Sequence, residues 1–320
     1  MEFPKQITHF LEEVAATLDR RVLTQKSSTI SNRYRNESGT GKVLLSEKGE
    51  AFAYAATRMP ATFAATACVL KEALGMVHLC PKTLLDVGAG TGTASWAAAL
   101  LCDLDDITCL ERAGAMSELG QKLMTHAPLS ALQNAKWVSF DLTRDDLTQS
   151  ADLVIASYVL NEMDELGRLK TAEKLWAAAK QALILVEPGT KTGYRQLMQL
   201  RDALLARGAN LCAPCPHDKK CPLGADDWCH FAVRVNRSKI HKALKSADVP
   251  FEDEKFSYLI LTRTPVIRTT ARILRHPYIR KGYVSLTLCT PNGIETKTIT
   301  KKQGNIYKAA KKSDWGDSFG

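Results

Sequence analysis

From Lys82 onward the chain alternates short apolar runs with longer helical ones, and this alternation constrains the fold more than any other feature. "TLLDVGAG", "DITCLER", "AKWVSFDL", "ADLVIASYVL" and "ALILVEPG" read as strands. "TASWAAALLC", "AMSELGQKLMTH", "RLKTAEKLWAAAKQ" and "YRQLMQLRDALLARG" read as the helices between them. Strands separated by crossover helices build a parallel sheet covered on both faces, so the expectation is an α/β fold. The first strand ends in Asp86, Gly88, Gly90 and Gly92, at a strand-to-helix turn. Glycines there permit a tight turn and close approach of a ligand to the backbone. A dinucleotide fingerprint would read G-x-G-x-x-G. Here Thr93 stands three after Gly90, so the spacing is G-x-G-x-G.

The flanks have a different character. Residues 1–80 carry helical apolar spacing in "ITHFLEEVAATL" and "FAATACVLKEALGMV", with Pro60 placed to open a helix. Between these runs "SSTISNRYRNESGTGK" is polar and reads as a surface loop. After "FSYLILTR", "GYVSLTLCTPNGIETKTIT" makes two alternating runs around Pro291-Asn292-Gly293, a hairpin signal. The expected organisation is a helical N-terminal extension (1–80), a core (81–263) with a cysteine-rich insertion (211–231), and a small basic β-rich extension (264–320).

The net charge of +9 is concentrated. From Lys255 onward thirteen Lys/Arg face three acids, while the rest of the chain is close to neutral. Such a segment points to a polyanion, nucleic acid first. No apolar stretch reaches spanning length, so no membrane partner is expected. "MEFPKQITHFLEEV" has early acids and no basic n-region, and resembles neither a secretory signal nor an Arg-rich transit peptide. The expectation is a reducing, bacterial-type cytoplasm, where clustered thiols favour a metal or redox site over disulfides.

With an acid before it, the glycine loop resembles the S-adenosylmethionine loop of class I methyltransferases. Glu111 ends the second strand, where a carboxylate can take ribose hydroxyls. Asp141 ends the third and would lie near the adenine. The catalytic side is poorly marked. After the fourth strand the text is "SYVLNEMDE"; Asn161 and Glu162 are polar and near the right place, but no amino-methyltransferase motif is present. The one Pro-Cys pair, Pro214-Cys215, lies inside the thiol stretch, where a ligating cysteine is not free as a nucleophile.

"LCAPCPHDKKCPLGADDWCHF" holds Cys212, Cys215, Cys221 and Cys229, spaced C-x2-C-x5-C-x7-C. The intervals grow, unlike the paired knuckles of a zinc ribbon. Proline-stiffened irregular loops suit an iron–sulfur cluster, whose sulfurs accept backbone hydrogen bonds. His217 and His230 are further candidates, and spacing alone does not exclude zinc. The isolated Cys68, Cys80, Cys102 and Cys109 read as core packing.

"PCPHDKKCPL" followed by "DWCHF" resembles the signature of a methyltransferase-like family of small-ribosomal-subunit assembly factors from bacteria and mitochondria. "AYAATRMPATFAA", "LLDVGAGTG", "RILRHP" and "YKAAKKSDWGD" extend the match from about Tyr54 to Asp317. The resemblance implies a class I S-adenosylmethionine-dependent methyltransferase (Rossmann-like) fold, a 4Fe–4S cluster, and binding to small-subunit ribosomal RNA during assembly. It also implies that the cluster ligands are Cys215, Cys221, Cys229 and the distant Cys289, with Cys212 an extra thiol. A ligand from the basic extension would pin that extension to the core.

Candidate phosphate contacts are Arg263, Arg268, Arg272, Arg275, Arg280 and Lys281, with Tyr278 and Tyr283 interleaved for stacking. Lys301-Lys302 and Lys311-Lys312 add charge, and Arg33 and Arg35 offer a second contact. Two functions follow: an assembly factor that binds both cofactors, or an active rRNA or tRNA methyltransferase, with zinc as the alternative metal. The missing catalytic motif favours the first. A radical S-adenosylmethionine enzyme is a poor fit, since its C-x3-C-x2-C motif is absent.

Overall fold

A computed structural model describes residues 1–36, 45, 47–77, 79–245 and 248–320. Four helices come first: α1 (Lys5–Ala16), α2 (Arg20–Asn36), α3 (Lys48–Thr57) and α4 (Met59–Met76). Pro60 sits in the first turn of α4, where a missing N–H leaves no bond unmade. The expected loop from Ser27 is helical as far as Asn36, because α2 continues through it; most of the remainder lies outside the described residues. Its packing against α3 outweighs the weak propensity of its Ser and Thr.

The core runs β1 (Thr83–Val87), α5 (Thr93–Ala99), β2 (Asp106–Glu111), α6 (Gly114–Thr125), α7 (Ser130–Gln133), β3 (Lys136–Ser139), β4 (Ala151–Ser157), α8 (Glu165–Ala178), β5 (Ala179–Pro188) and α9 (Lys191–Ala206). β6 (Asn210–Ala213), β7 (Phe231–Asn236), α10 (Lys239–Lys245) and β8 (Phe251–Thr262) complete it. The strand order is β3-β2-β1-β4-β5-β8-β6, with β7 also on β8. β1 to β5 pair in parallel, and β8 runs antiparallel to β5. This is the class I methyltransferase arrangement the sequence implied. Chain direction across the sheet reverses between β1 and β4, and ligands of such sheets bind beyond the strand ends at that point. Strands buried on both faces read as continuous apolar runs, which is why Leu153 to Ala156 and Ala182 to Val186 are almost wholly buried.

β6 and β7 pair with different stretches of β8. The cysteine stretch between them is therefore an excursion from one sheet edge. The segment after it, expected only as a connection, supplies β7 and α10.

The tail forms a second sheet from β9 (Ala271–Ile273), β10 (Tyr278–Arg280), β11 (Tyr283–Thr290), β12 (Gly293–Thr300) and β13 (Ser318–Phe319). Thr290 pairs with Gly293 around Pro291-Asn292, as the hairpin signal predicted. A helix the sequence reading missed, α11 (Asn305–Lys312), covers one face. Val284, Leu286, Leu288, Ile299 and Ala310 form a small core of their own.

Candidate functional site

Two sites come together, a cleft at the β1/β4 reversal and a thiol pocket behind the β6–β7 excursion. The cleft holds about 790 Å³ of atom-free space, part of it open to solvent. Gly88, Gly90, Glu111 and Asp141 line it, with Tyr34, Tyr54, Tyr158 and Glu162. Gly88 has φ +66°, and a Cβ there would lie 2.4 Å from Val159 Cγ2, so only glycine fits without displacement.

Glu111 is held by two backbone donors: Gly90 N–H to Oε2 (2.7 Å) and Ala113 N–H to Oε1 (2.7 Å). A carboxylate offers about four lone-pair positions, so capacity remains for a diol. Burial pushes its pKa up, against those two bonds. Burial also acts on Asp141, but the Thr143 hydroxyl (2.6 Å) and N–H (2.9 Å) outweigh it and hold the group below the usual range.

Asp86 lies beneath the loop rather than in the cleft. It is 1% exposed, and its Oδ2 accepts from the Ser95 N–H (2.9 Å) and hydroxyl (2.7 Å), tying the first turn of α5 to β1. Its Oδ1 has no partner among the described residues, and burial pushes its pKa up to about 6. Gly92, also left-handed, caps α5 outside the cleft lining.

Past β4, Glu162 enters the cleft with its pKa pushed up to about 7 by burial, against Arg112 at 3.5 Å. Glu187, at the end of β5, accepts from Leu160 N–H (2.9 Å), and its buried Oε2 has no partner among the described residues. Burial pushes it up to about 8. Tyr158 takes φ +58°, an uncommon conformation for a bulky residue, and its hydroxyl donates to Glu254 (2.9 Å). Sequence reasoning missed these three tyrosines and Glu187; only the place of Tyr158 after β4 signalled any of them.

The thiol pocket gathers Cys215, Cys221, Cys229 and Cys289. Cys212, three residues from Cys215, is fully buried in the main core and does not line it. Burial raises the pKa of Cys215, Cys229 and Cys289, the last to about 12. The Tyr194 hydroxyl donates to Cys221 (3.0 Å). His217 lies beside Cys289, 3.8 Å from its sulfur, and His230 stacks on Trp228 and meets Trp315 edge-on, away from the pocket wall. Two buried arginines flank the thiols. Arg272 lines the pocket, and Arg201 holds the thiol loop by donating to the carbonyls of His217 and Lys219 (both 2.9 Å). Arg201 is legible in hindsight, since it falls on the apolar stripe Leu197, Leu200, Leu204 of α9. Among the described residues, no group of three or more His, Cys, Asp or Glu side chains is arranged to hold a metal ion.

Residues 48–320 match the protein family described as "Mitochondrial small ribosomal subunit Rsm22". The chain belongs to the Rsm22 family. It is 30% identical over 292 residues to the human "Ribosome assembly protein METTL17, mitochondrial", covering 84% of this chain and 62% of that protein. It is 27% identical over 218 residues to "Rsm22-cox11 tandem protein 2, mitochondrial" of Schizosaccharomyces pombe, covering 53% of this chain and 29% of that one. The chain thus spans less than two thirds of the curated relatives it matches. Among solved structures it is similar to the magnesium protoporphyrin IX methyltransferase of Synechocystis PCC 6803, at 14% identity and a TM-score of 0.42, over 77% of this chain and 98% of that one.

These matches correct one expectation. The family and the relatives are mitochondrial, which overturns the bacterial-type cytoplasmic reading. That reading rested on the first residues alone, and an address segment is read separately from the folded body and leaves no mark on its core. Among the described residues no helix is long and apolar enough to cross a membrane.

The expected phosphate contacts in this Rsm22-family chain also need revision. Arg263 donates to backbone carbonyls at the end of α8 and stacks on Trp176 at 3.8 Å. Arg268 pairs with Asp218 (2.6 and 3.0 Å) and Arg275 with Asp227. Arg272 is 2% exposed and joins Pro214, Gly316 and Glu72. Arg268, Arg272 and Arg275 tie the tail to the core through acids and backbone carbonyls, and Arg263 ties the end of β8 to the α8–β5 junction. Arg33 pairs with Glu50 (2.7 Å), and the Arg35 side chain lies outside the described residues. Arg280, Lys281, Lys301, Lys302, Lys311 and Lys312 remain exposed.

Proposed function

We propose that the protein is a small-ribosomal-subunit assembly factor that binds ribosomal RNA, S-adenosylmethionine in the cleft, and a 4Fe–4S cluster on Cys215, Cys221, Cys229 and Cys289. The observation that carries the cluster is the meeting of thiols from the β6–β7 excursion and from β11, seventy or so residues apart in sequence, in one pocket. A mononuclear zinc site needs its sulfurs about 2.3 Å from one ion. Cys215, Cys221, Cys229 and Cys289 line one pocket, and a polynuclear cluster would offer a separate iron to each. A cluster with four thiolates carries net negative charge, and the guanidinium groups of Arg201 and Arg272 supply the compensation. Held there, the group would tie β11 to the core. In the cleft, Gly88 and Gly90 let a ligand reach the backbone and Glu111 retains acceptor capacity for ribose hydroxyls. The assembly role follows from the family and from the basic tail.

Methyl transfer is a second reading with one observation in its favour. A neighbouring cavity with about 760 Å³ of atom-free space, part of it open to solvent, shares Tyr34, Tyr54 and Tyr158 with the cleft and adds Asn161, where an acceptor would stand.

The test is anaerobic purification followed by iron, sulfide and zinc analysis with a visible spectrum. About four irons and four sulfides per chain are expected. A colourless protein with one zinc, unchanged by iron supply, would sink the cluster.

A further inference from the structure

Away from the thiol pocket, toward the β10–β11 turn, one face of the second sheet leaves its tyrosines exposed. Residues directly opposite each other in an antiparallel ladder share a face. The register sets Tyr278 opposite Ser285 and Arg280 opposite Tyr283. It sets Tyr283, Ser285 and Thr287 opposite Thr300, Thr298 and Thr296. All of these lie on the side that begins with Cys289 at the thiol pocket. The other side carries Val284, Leu286, Leu288 and Ile299, buried under α11. So one face is packed, and the other is covered at its Cys289–Arg272 end and open at its Tyr278–Tyr283 end. Tyr278 is 51% exposed and Tyr283 is 36% exposed. Between them Arg280 donates to the Tyr278 hydroxyl (2.7 Å) and holds its guanidinium 4.5 Å from the ring centroid.

The charge on this face is one-sided. The tail's three acids are Glu295, Asp314 and Asp317. Glu295 stands opposite Leu288 on the packed side. Asp314 faces His276 (3.0 Å), and Asp317 accepts from the Asp314 N–H. The cations gather at the tyrosine end: Lys281 lies in the β10–β11 turn, and the Lys301 N–H donates to Gly282 O (2.9 Å), bringing Lys301 and Lys302 to that turn. Solvent-facing tyrosines, hydroxyl-bearing strands and clustered cations without a carboxylate match the requirements of unpaired bases and their phosphates. A duplex hides its base faces, so it cannot use the tyrosines.

We propose that this face is a stacking platform for unpaired RNA, with bases on Tyr278 and Tyr283 and phosphates on Arg280, Lys281, Lys301 and Lys302. The proposal rests on the rRNA-binding reading and adds to it the surface and the kind of RNA. The platform starts about 20 Å along β11 from Cys289.

The test uses the full chain, purified anaerobically, and three labelled RNAs followed by anisotropy: an oligouridine of about twelve nucleotides, a duplex of the same length, and a small-subunit rRNA transcript. Wild type is expected to prefer the oligomer to the duplex. The pair Tyr278→Ala with Tyr283→Ala is expected to weaken oligomer binding about tenfold per tyrosine with an unchanged salt slope. The corresponding Phe pair is expected to restore it. Lys301→Gln with Lys302→Gln should instead lower the salt slope by about 0.7 per lysine. Ultraviolet cross-linking of the oligomer to wild type should map to Tyr278 or Tyr283, which keeps the test decisive if the Ala pair misfolds. Preference for the duplex, cross-links mapping elsewhere, or an Ala pair that binds the oligomer and transcript like wild type would overturn the platform and leave rRNA binding standing. Failure of wild type to bind any of the three would overturn the rRNA reading and the platform with it.

Discussion

Arg272 offers the sharpest test of how the tail is held. Its side chain is 3% exposed and makes three bonds that cross between parts of the chain: Nε to Pro214 O (3.0 Å), one terminal nitrogen to Gly316 O (2.8 Å), and the other to Glu72 Oε1 (2.5 Å). Arg272→Met keeps much of the stem volume and removes all three. Hydrogen bonds to charged groups are each worth about 1.5–3 kcal/mol. Simple addition overshoots, because Glu72 is 22% exposed and also accepts from the Tyr258 hydroxyl, so water and that partner recover part of the loss. Breaking a fully buried pair costs about 3–5 kcal/mol, and the partial exposure places this one near the lower end, about 3 kcal/mol. That figure raises the population of a locally undocked tail about 100-fold. The assay is hydrogen exchange on metal-free, reduced protein, so that no bound group contributes. Amides of β9 and β13 are expected to exchange about 100-fold faster, while β1 and β4 keep their protection. Unchanged protection in β9 would show that the three bonds contribute nothing net. Equal loss in β1 and β4 would show that the tail does not open as a unit.

Other outcomes follow from the same geometry. Gly88→Ala should weaken binding of S-adenosylhomocysteine at least about tenfold by calorimetry, since the left-handed backbone alone costs about 1–2 kcal/mol and the added Cβ meets Val159. Cys289→Ser should lower iron content, whereas Cys212→Ser, outside the pocket, should leave it unchanged. Asp86 and Glu187 have folded pKa values raised by burial to about 6 and about 8, so the folded state keeps protons the unfolded state has released. Stability should therefore fall as pH rises from about 4 to about 8, and Glu187→Gln should flatten the upper part of that slope in denaturant titrations.

The parallel core was legible because buried strands and crossover helices leave a periodic record, and each strand from Thr83 to Pro188 falls where the apolar runs put it. α2 was not, since Ser, Thr and Asn favour turns locally and only packing on α3 makes Ser27–Asn36 helical. The glycine loop was legible for a backbone reason: a positive φ and a crowded Cβ leave little choice of residue. What the tail's arginines do was not, because a guanidinium that meets a phosphate and one that meets a buried carbonyl look the same in sequence.

That ambiguity bears on how charge is read as function. The +10 of the last fifth pointed to a polyanion, yet Arg263, Arg268, Arg272 and Arg275 are each engaged by carbonyls or acids of the protein itself, and Arg272 is buried. They lie on or beside the short segments that run along the core, where acids and backbone carbonyls receive them. Of the exposed cations, Arg280, Lys281, Lys301 and Lys302 gather at the β10–β11 turn, at the end of the sheet away from Cys289, while Lys311 and Lys312 lie on α11. Charge alone could not separate the two groups, but strand register does. Removing one of the inner arginines should lower RNA affinity only through loss of docking, and so should fail to change the salt slope when the tail stays docked, whereas each outer lysine should change the slope directly.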